Sequence, residues 1–378
     1  MPWKAATTMS LRKEFVTFVT AKTTTMQSVC DRFGISRKTG YKWLDRLRRG
    51  GWEALADQSR RPHKCPWKTS TAVEEAIVRL RDAHPAWGAR KLRRRLQASG
   101  WNDLPSPSTI TSILHRHGRI DPLEATKHQP WQRFEAPEPN ALWQMDFKGH
   151  FPMLGGRCHP LTVLDDHSRY NIGLVACANE RRETVQQELT GLFRRFGLPQ
   201  WILADNGAPW GTRGNDTYSA LAVWLMHLGT GVTHARILHP QTLGKDERFH
   251  RTLKTELLSQ CINKPVTECQ RRFDHWRIIY NTQRPHESLK MDVPSQHYRL
   301  SDRTFPERLP IIEYSPDDLV RKVQDKGNIS FHGRWFVIGK AFYHYAVALR
   351  PTETDGIFDV FFSQFKIAQI NLHNNLVS

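Results

Sequence analysis

Three acidic residues, Asp146, Asp205 and Glu247, are the side chains of this sequence best suited to hold a metal ion together. Asp146 ends Trp143-Gln144-Met145-Asp146, Asp205 opens Asp205-Asn206-Gly207, and Glu247 stands near the start of a run without helix breakers from Lys245 to Gln260. Carboxylates with no His or Cys among them make a hard, all-oxygen donor set, suited to Mg²⁺ or Mn²⁺. Two such ions about 3.5–4 Å apart can activate an attacking oxygen and stabilise a leaving one in an in-line phosphoryl displacement. Without cations, three acids so placed would repel by on the order of several kcal/mol. Taken alone, Glu247 reads as a solvated salt-bridge partner, because Arg251 and Lys254 share its helix face and His250 lies beside them. The two upstream aspartates give it a second possible role. Asp165 and Asp166 are competing acids, but they follow a strand and precede His167-Ser168-Arg169, so a turn accounts for them.

The elements around these acids are legible. Residues 141–148 alternate, with Trp143, Met145 and Phe147 on one face and Gln144, Asp146 and Lys148 on the other. Gly155-Gly156 turns the chain into a strand from His159 to Leu164, and Tyr170 to Ala176 is a third strand. A helix from Arg182 to Phe196 stops at Gly197, and a short strand from Trp201 to Ala204 runs into Asp205. Helix Asp216 to Leu228, strand Val232 to Ile237 and a helix with Phe249, Leu253 and Leu257 at four-residue spacing complete the order β-β-β-α-β-α-β-α. Three antiparallel strands followed by alternation predict a ribonuclease-H-like α/β core. In that topology Asp146 and Asp205 lie on adjoining strands, and Glu247 leans over the same edge.

The chain is expected to be multidomain, with 378 residues, 39% of them hydrophobic, and a net charge of +18. Residues 1–135 hold 26 Lys/Arg against 12 Asp/Glu, while the remainder hold 29 against 25. A basic third attached to a near-neutral body suggests a nucleic-acid-binding module. Residues 10–49 read as three helices, the third capped by Ser36 after a turn at Gly34, which is a helix-turn-helix pattern over residues 1–58. Arg37, Lys38, Tyr41 and Lys42 form its outward set, placed to reach base edges in DNA, while Trp43, Leu44 and Leu47 face inward. A basic linker, 59–69, carries Arg60-Arg61-Pro62-His63-Lys64. Residues 70–118 repeat the all-α theme as a second helix-turn-helix-like unit, with Arg90, Lys91, Arg93, Arg94 and Arg95 on its middle helix. A Pro-bearing linker, 119–139, leads to a core at 140–300, and five short strands within 315–378 predict a small β-barrel. The six cysteines form no C-x-x-C. No uncharged apolar run approaches the roughly 18 residues of a membrane span. A soluble, cytoplasmic, nucleoid-associated protein without membrane contact is the expectation.

The motifs at Asp146 and Asp205, together with His239-Pro240-Gln241-Thr242-x-Gly244-Lys245-x-Glu247-Arg248-x-His250-Arg251-Thr252-Leu253-Lys254, resemble the integrase-core DDE transposases of bacterial insertion sequences. Retroviral integrases share that catalytic core. Tyr280-Asn281-Thr282-Gln283-Arg284-Pro285-His286 resembles the segment that follows it, and with the tandem helix-turn-helix units the likeness covers nearly the whole chain. The resemblance implies a metal-dependent polynucleotidyl transferase in which Asp146, Asp205 and Glu247 hold two Mg²⁺ or Mn²⁺ ions. Water would free a 3′-hydroxyl at the element end, which then attacks target DNA. Lys245, Arg251 and Lys254 would contact DNA phosphates. Double-stranded DNA and a second copy of the chain are the implied partners. The 41 residues between Asp205 and Glu247 exceed the spacing usual in many members, and the surplus fits the loop from Trp210 to Thr217. The zinc module of retroviral integrases has no counterpart here. A DNA-binding regulator derived from a transposase is the alternative.

Overall fold

The computed structural model describes residues 7–57, 68–120, 135–212, 218–234, 244–374 and 376–377. The Arg60–Lys64 basic stretch, most of the Trp210 to Thr217 loop and the His239 to Thr242 motif lie outside them. The chain divides into two compact units, Met1–Lys68 and Thr69–Ser378.

The first unit is three helices, α1 (Thr8–Thr20), α2 (Met26–Arg32) and α3 (Arg37–Gly50). Each starts at a hydroxyl that accepts a backbone N–H: Thr7 from Ser10, Thr25 from Ser28 and Ser36 from Thr39, at 3.1, 3.3 and 3.2 Å. Phe15, Val16, Val29, Cys30 and Leu55 form the core, with Trp43, Leu44 and Leu47 packed against it. Gly40 is buried on α3, where a Cβ would come within 2.8 Å of Cys30 Sγ and 2.9 Å of the Phe15 ring. Only glycine lets α3 approach this closely.

The second unit opens with α4 (Thr71–Ala83), α5 (Ala89–Ala98) and α6 (Pro107–Arg116), closed over Ile77, Trp87, Leu92, Ile110 and Leu114. Its central sheet contains β1 (Leu142–Phe147), β2 (Phe151–Met153), β3 (Gly156–Asp165), β4 (Asn171–Cys177), β5 (Trp201–Ala204) and β6 (Gly231–His234). The order is β4-β3-β1-β5-β6, with β2 on the early part of β3; β1–β3 and β3–β4 are antiparallel, β1–β5 and β5–β6 parallel. This is the ribonuclease-H-like arrangement read from the strand pattern. One face of the sheet packs on α7 (Arg182–Phe196) and α8 (Ala220–His227), burying Trp143, Met145, Leu161, Val163, Phe193 and Leu225. The other face lies under α9 (Gly244–Glu256) and α10 (Val266–Thr282), through Phe249, Leu253, Leu257, Phe273 and Trp276. The four-residue stripe on α9 is therefore its core face.

Helix α8, Ala-Leu-Ala-Val-Trp-Leu-Met-His, is apolar nearly all round because it is covered on both sides. Leu221 and Leu225 face the sheet, while Val223 and Met226 join the core of the C-terminal domain. That domain consists of β7 (Leu319–Lys322), β8 (Asn328–Phe331), β9 (Arg334–Val337), β10 (Ala346–Pro351), β11 (Ile357–Phe362), β12 (Phe365–Asn371) and β13 (Leu376–Val377). The expected barrel is corrected here. Among the described residues the strands form an open sheet, β13-β12-β11-β10-β7, and a separate β8–β9 hairpin, with no closure between them. Its hydrophobic core lies between hairpin and sheet and is capped by α8.

Candidate functional site

The register of the parallel pair sets the site. Gln144 on β1 aligns with Leu203 on β5, so two residues further on Asp146 comes abreast of Asp205, just past the end of β5. Trp143 and Met145 point into the α7–α8 side, so Gln144 and Asp146 point to the α9 side. Asp146 is half-buried, and its carboxyl is pushed up to about 6, first by that burial and then by the charge of Asp205. Asp146 thus lies near enough to Asp205 to feel its charge. Asp205 Oδ1 accepts the Gly207 N–H at 3.0 Å, and its carbonyl accepts from His234 Nδ1 at 2.8 Å, which fixes the turn leaving β5.

Glu247 is exposed on α9, on the face it shares with exposed Arg251 and Lys254. Among the described residues no three His, Cys, Asp or Glu side chains form a ready-made metal cluster. Glu247 stands on the helix that covers this face of the sheet, as a third acid beside the aspartate pair.

A histidine joins that helix to the strand of Asp146. His250 is 7% exposed. Thr162 on β3 faces Asp146 across the sheet and donates its hydroxyl to the Asp146 carbonyl at 2.9 Å. With that proton committed, His250 Nε2–H donates to Thr162 Oγ1, also at 2.9 Å. Nδ1 is left unprotonated, 3.8 Å from Asp146 Oδ2. Burial and the charge of Lys148 hold the imidazole down at about 3, so it is neutral. The four-residue stripe alone marked His250 only as a neighbour of the basic face.

Lys245, expected at DNA phosphates, has a protein partner. Instead of facing solvent for a phosphate, its ammonium lies 2.5 Å from Asp166 Oδ1, and the Asp166 side chain is fully buried. Burial also pulls Lys245 down to about 8. Asp166 further accepts from the Ala136 N–H at 2.7 Å and from Gln144 Nε2 at 2.6 Å. Asp165, also buried, accepts from the Asn140 N–H and from the Ser168 N–H and hydroxyl. The pair read from sequence as turn residues anchors the chain entering β1.

The basic residues divide by partner. Arg37, Lys38, Tyr41 and Lys42 are all exposed on the first two turns of α3. Trp43 beside them is packed against the core, with Arg12 and Arg46 guanidinium groups 4.1 and 4.9 Å from its ring. The arginines of α5 bind protein instead. Arg94 pairs with Asp292 at 3.1 Å, Arg95 donates to Gln283 at 3.1 Å, and Arg90 stands 3.7 Å from Glu287. Beneath them the side chain of Glu256, the last residue of α9, is buried with Arg284 at 3.9 Å and accepts from Trp276 Nε1 at 2.9 Å. Ile279 of α10 packs against the α4–α6 core. These contacts dock the second helical unit on the helices that cover the sheet. Ser108, Thr109, Thr111 and Ser112 on α6 stay exposed.

Comparison with known proteins gives matches along most of the chain. Family models match as a helix-turn-helix domain over residues 11–63, a homeodomain-like domain over 39–114, integrase core domains over 136–240 and 229–294, and the IS481 family transposase C-terminal domain over 318–377. The Gag-Pol polyprotein of baboon endogenous virus (strain M7) is 26% identical over 211 residues, 52% of this chain and 11% of that protein. The insertion element IS407 uncharacterized 31.7 kDa protein of Burkholderia multivorans is 26% identical over 158 residues, 42% of this chain and 55% of that protein. The chain thus spans little more than half of one curated relative and a small part of the other. The HTLV-2 integrase catalytic core domain in complex with magnesium covers 44% of this chain and 100% of its own, at 16% identity and TM-score 0.34. The simian T-cell lymphotropic virus intasome covers 80% and 97%, at 15% and 0.38.

Proposed function

We propose that this chain, whose domain matches are those of an insertion-sequence transposase with an integrase core, binds the ends of its element, cuts them and joins the freed 3′-hydroxyl to target DNA. The observation that carries this reading is Asp146 abreast of Asp205, on the sheet face covered by the helix of Glu247, Arg251 and Lys254. Burial first, and then the charge of Asp205, disfavour the ionised Asp146 carboxylate, and a divalent cation would offset both, so the donor set fits one. Asp146, Asp205 and Glu247 would hold two Mg²⁺ or Mn²⁺ ions. Bound there, the ions would supply activation of the attacking oxygen and charge neutralisation at the leaving one.

The chain's own residues have separate tasks. Neutral His250, through Thr162, holds the strand of Asp146 against α9 and carries no proton toward it. Arg251 and Lys254 hold DNA phosphates beside the carboxylates. Arg37, Lys38, Tyr41 and Lys42 enter the major groove at the start of α3. Joining two ends calls for at least two copies on DNA, and a nucleoid site of action follows. No helix among the described residues is long and apolar enough to cross a membrane. The C-terminal sheet and its hairpin would bind DNA or a neighbouring subunit.

The test is to incubate purified protein with Mg²⁺ and labelled element ends. Strand transfer is expected. Nicking without transfer would reassign the chain as a nuclease, and tight end binding without any cleavage as a regulator. Mn²⁺ should replace Mg²⁺, and stimulation by Zn²⁺ alone would contradict an all-carboxylate site.

A further inference from the structure

Asp166 is a carboxylate with no exposed side-chain surface, and such a group persists only when its charge and lone pairs are matched. Its partners come from elements far apart in sequence. Gln144 lies two residues before Asp146 on β1, with its side chain on the same face. Lys245 lies two residues before Glu247, in the first turn of α9. Ala136 belongs to the segment that enters the sheet, and Arg169 of the turn after β3 stands 3.9 Å from the same Oδ1. One buried carboxylate therefore ties the strand of one proposed metal ligand to the helical turn of another.

We propose that Asp166 and Lys245 are positioning residues, a buried latch that sets the first turn of α9 and thereby the approach of Glu247 to Asp146 and Asp205. This rests on the metal-binding role proposed above for those three acids. Neither Asp166 nor Lys245 touches the reacting atoms. The latch acts on geometry, through a pair shielded from solvent, and it takes Lys245 out of the set of phosphate contacts. Helix α9 is then held at both ends, by Lys245–Asp166 at its start and by Glu256 with Trp276 and Arg284 at its finish. Glu247 stays exposed between the two.

The experiment uses the full chain with Lys245→Met, Lys245→Arg and the double variant Asp166→Asn/Lys245→Met, which removes both charges and so avoids stranding a buried carboxylate. Three quantities are read: end binding, the Mg²⁺ concentration for half-maximal cleavage, and amide hydrogen exchange over residues 245–250 in the metal-free protein. Lys245→Met and the double variant should raise the Mg²⁺ requirement by about tenfold or more, as losses of outer-shell support commonly do. They should also speed exchange in the first turn of α9 and leave end binding within about twofold, the shift expected if no phosphate contact is lost. Lys245→Arg should recover part of both changes. Weaker end binding with a smaller salt slope and an unmoved Mg²⁺ requirement would return Lys245 to the DNA surface and overturn the latch. Unchanged exchange at 245–250 would overturn it as well. If Glu247→Gln cleaves normally, the metal reading itself fails, whereas an inactive Glu247→Gln beside a fully normal Lys245→Met sinks the latch alone.

Discussion

Asp146 carries two statements at once, one about chemistry and one about stability. Asp146→Asn, Asp205→Asn and Glu247→Gln should each abolish cleavage while leaving end binding nearly intact, checked by gel shift and cleavage on the same labelled DNA. The second statement follows from the carboxyl being raised from 3.8 to about 6 in the folded chain. Between those values the folded state binds more protons than the unfolded one, so stability falls as pH rises through about 4 to 6 and the loss is complete above 6. Asp146→Asn removes the penalty. In the presence of a chelator it should be more stable than the parent at pH 7, by up to about 3 kcal/mol, and close to it at pH 4, by urea denaturation. An equal stability at both pH values would show that Asp205 and burial do not act on Asp146 as described. The residue types and spacing pointed to these three acids, because oxygen donors at strand ends and on a following helix are readable from alternation and period. His250 and Asp166 were not readable that way. Their roles depend on which side chains from distant elements end up within hydrogen-bond reach, and no local period encodes that.

At the scale of elements, the sequence was most informative where a face is buried. The stripe of Phe249, Leu253 and Leu257 and the alternation around Asp146 predicted elements that the structure contains, with their apolar faces inward. Short or covered elements were harder. Phe151–Met153 is a three-residue strand with Pro152 at its centre, and Phe365–Asn371 follows a tight turn in which Ser363 has φ +53. That last long strand was not among the five expected within 315–378. The basic run on α5 shows what charge alone leaves open, since three of its arginines have protein partners in Asp292, Glu287 and Gln283. Two element-scale outcomes follow. Leu253→Ala, at a site with no exposed surface, should cost about 2–5 kcal/mol and loosen α9 from the sheet, measured by chemical denaturation. Gly40→Ala should lower end-binding affinity, because overpacking against Cys30 and Phe15 costs about 1–3 kcal/mol, more than the gain of about 1 kcal/mol in helix propensity. Binding as tight as the parent's would show that α3 has room to spare.

At the scale of the whole molecule, the docking of α4–α6 on the core makes residues 69–378 one compact unit. Its centre is ionic: the Glu256 and Arg284 side chains are both buried, and burial raises the Glu256 carboxyl against the opposing pull of Arg284 and Trp276. Arg284→Met should therefore cost about 3–5 kcal/mol by leaving that acid unmatched, whereas Arg94→Ala at the exposed rim should cost under about 1 kcal/mol. Parallel urea denaturation of both variants checks the ranking. The docking has a further consequence for the nucleic acid. If α6, exposed on this body, reads the element, the stretch between the bases it reads and the scissile phosphate is measured by a fixed ruler. Each inserted base pair displaces that phosphate by about 3.4 Å and rotates it round the duplex by roughly a tenth of a turn. One or two extra base pairs inside the terminus should then silence cutting while the protein still grips its site, and five should turn the wrong side of the duplex toward Asp146 and Asp205.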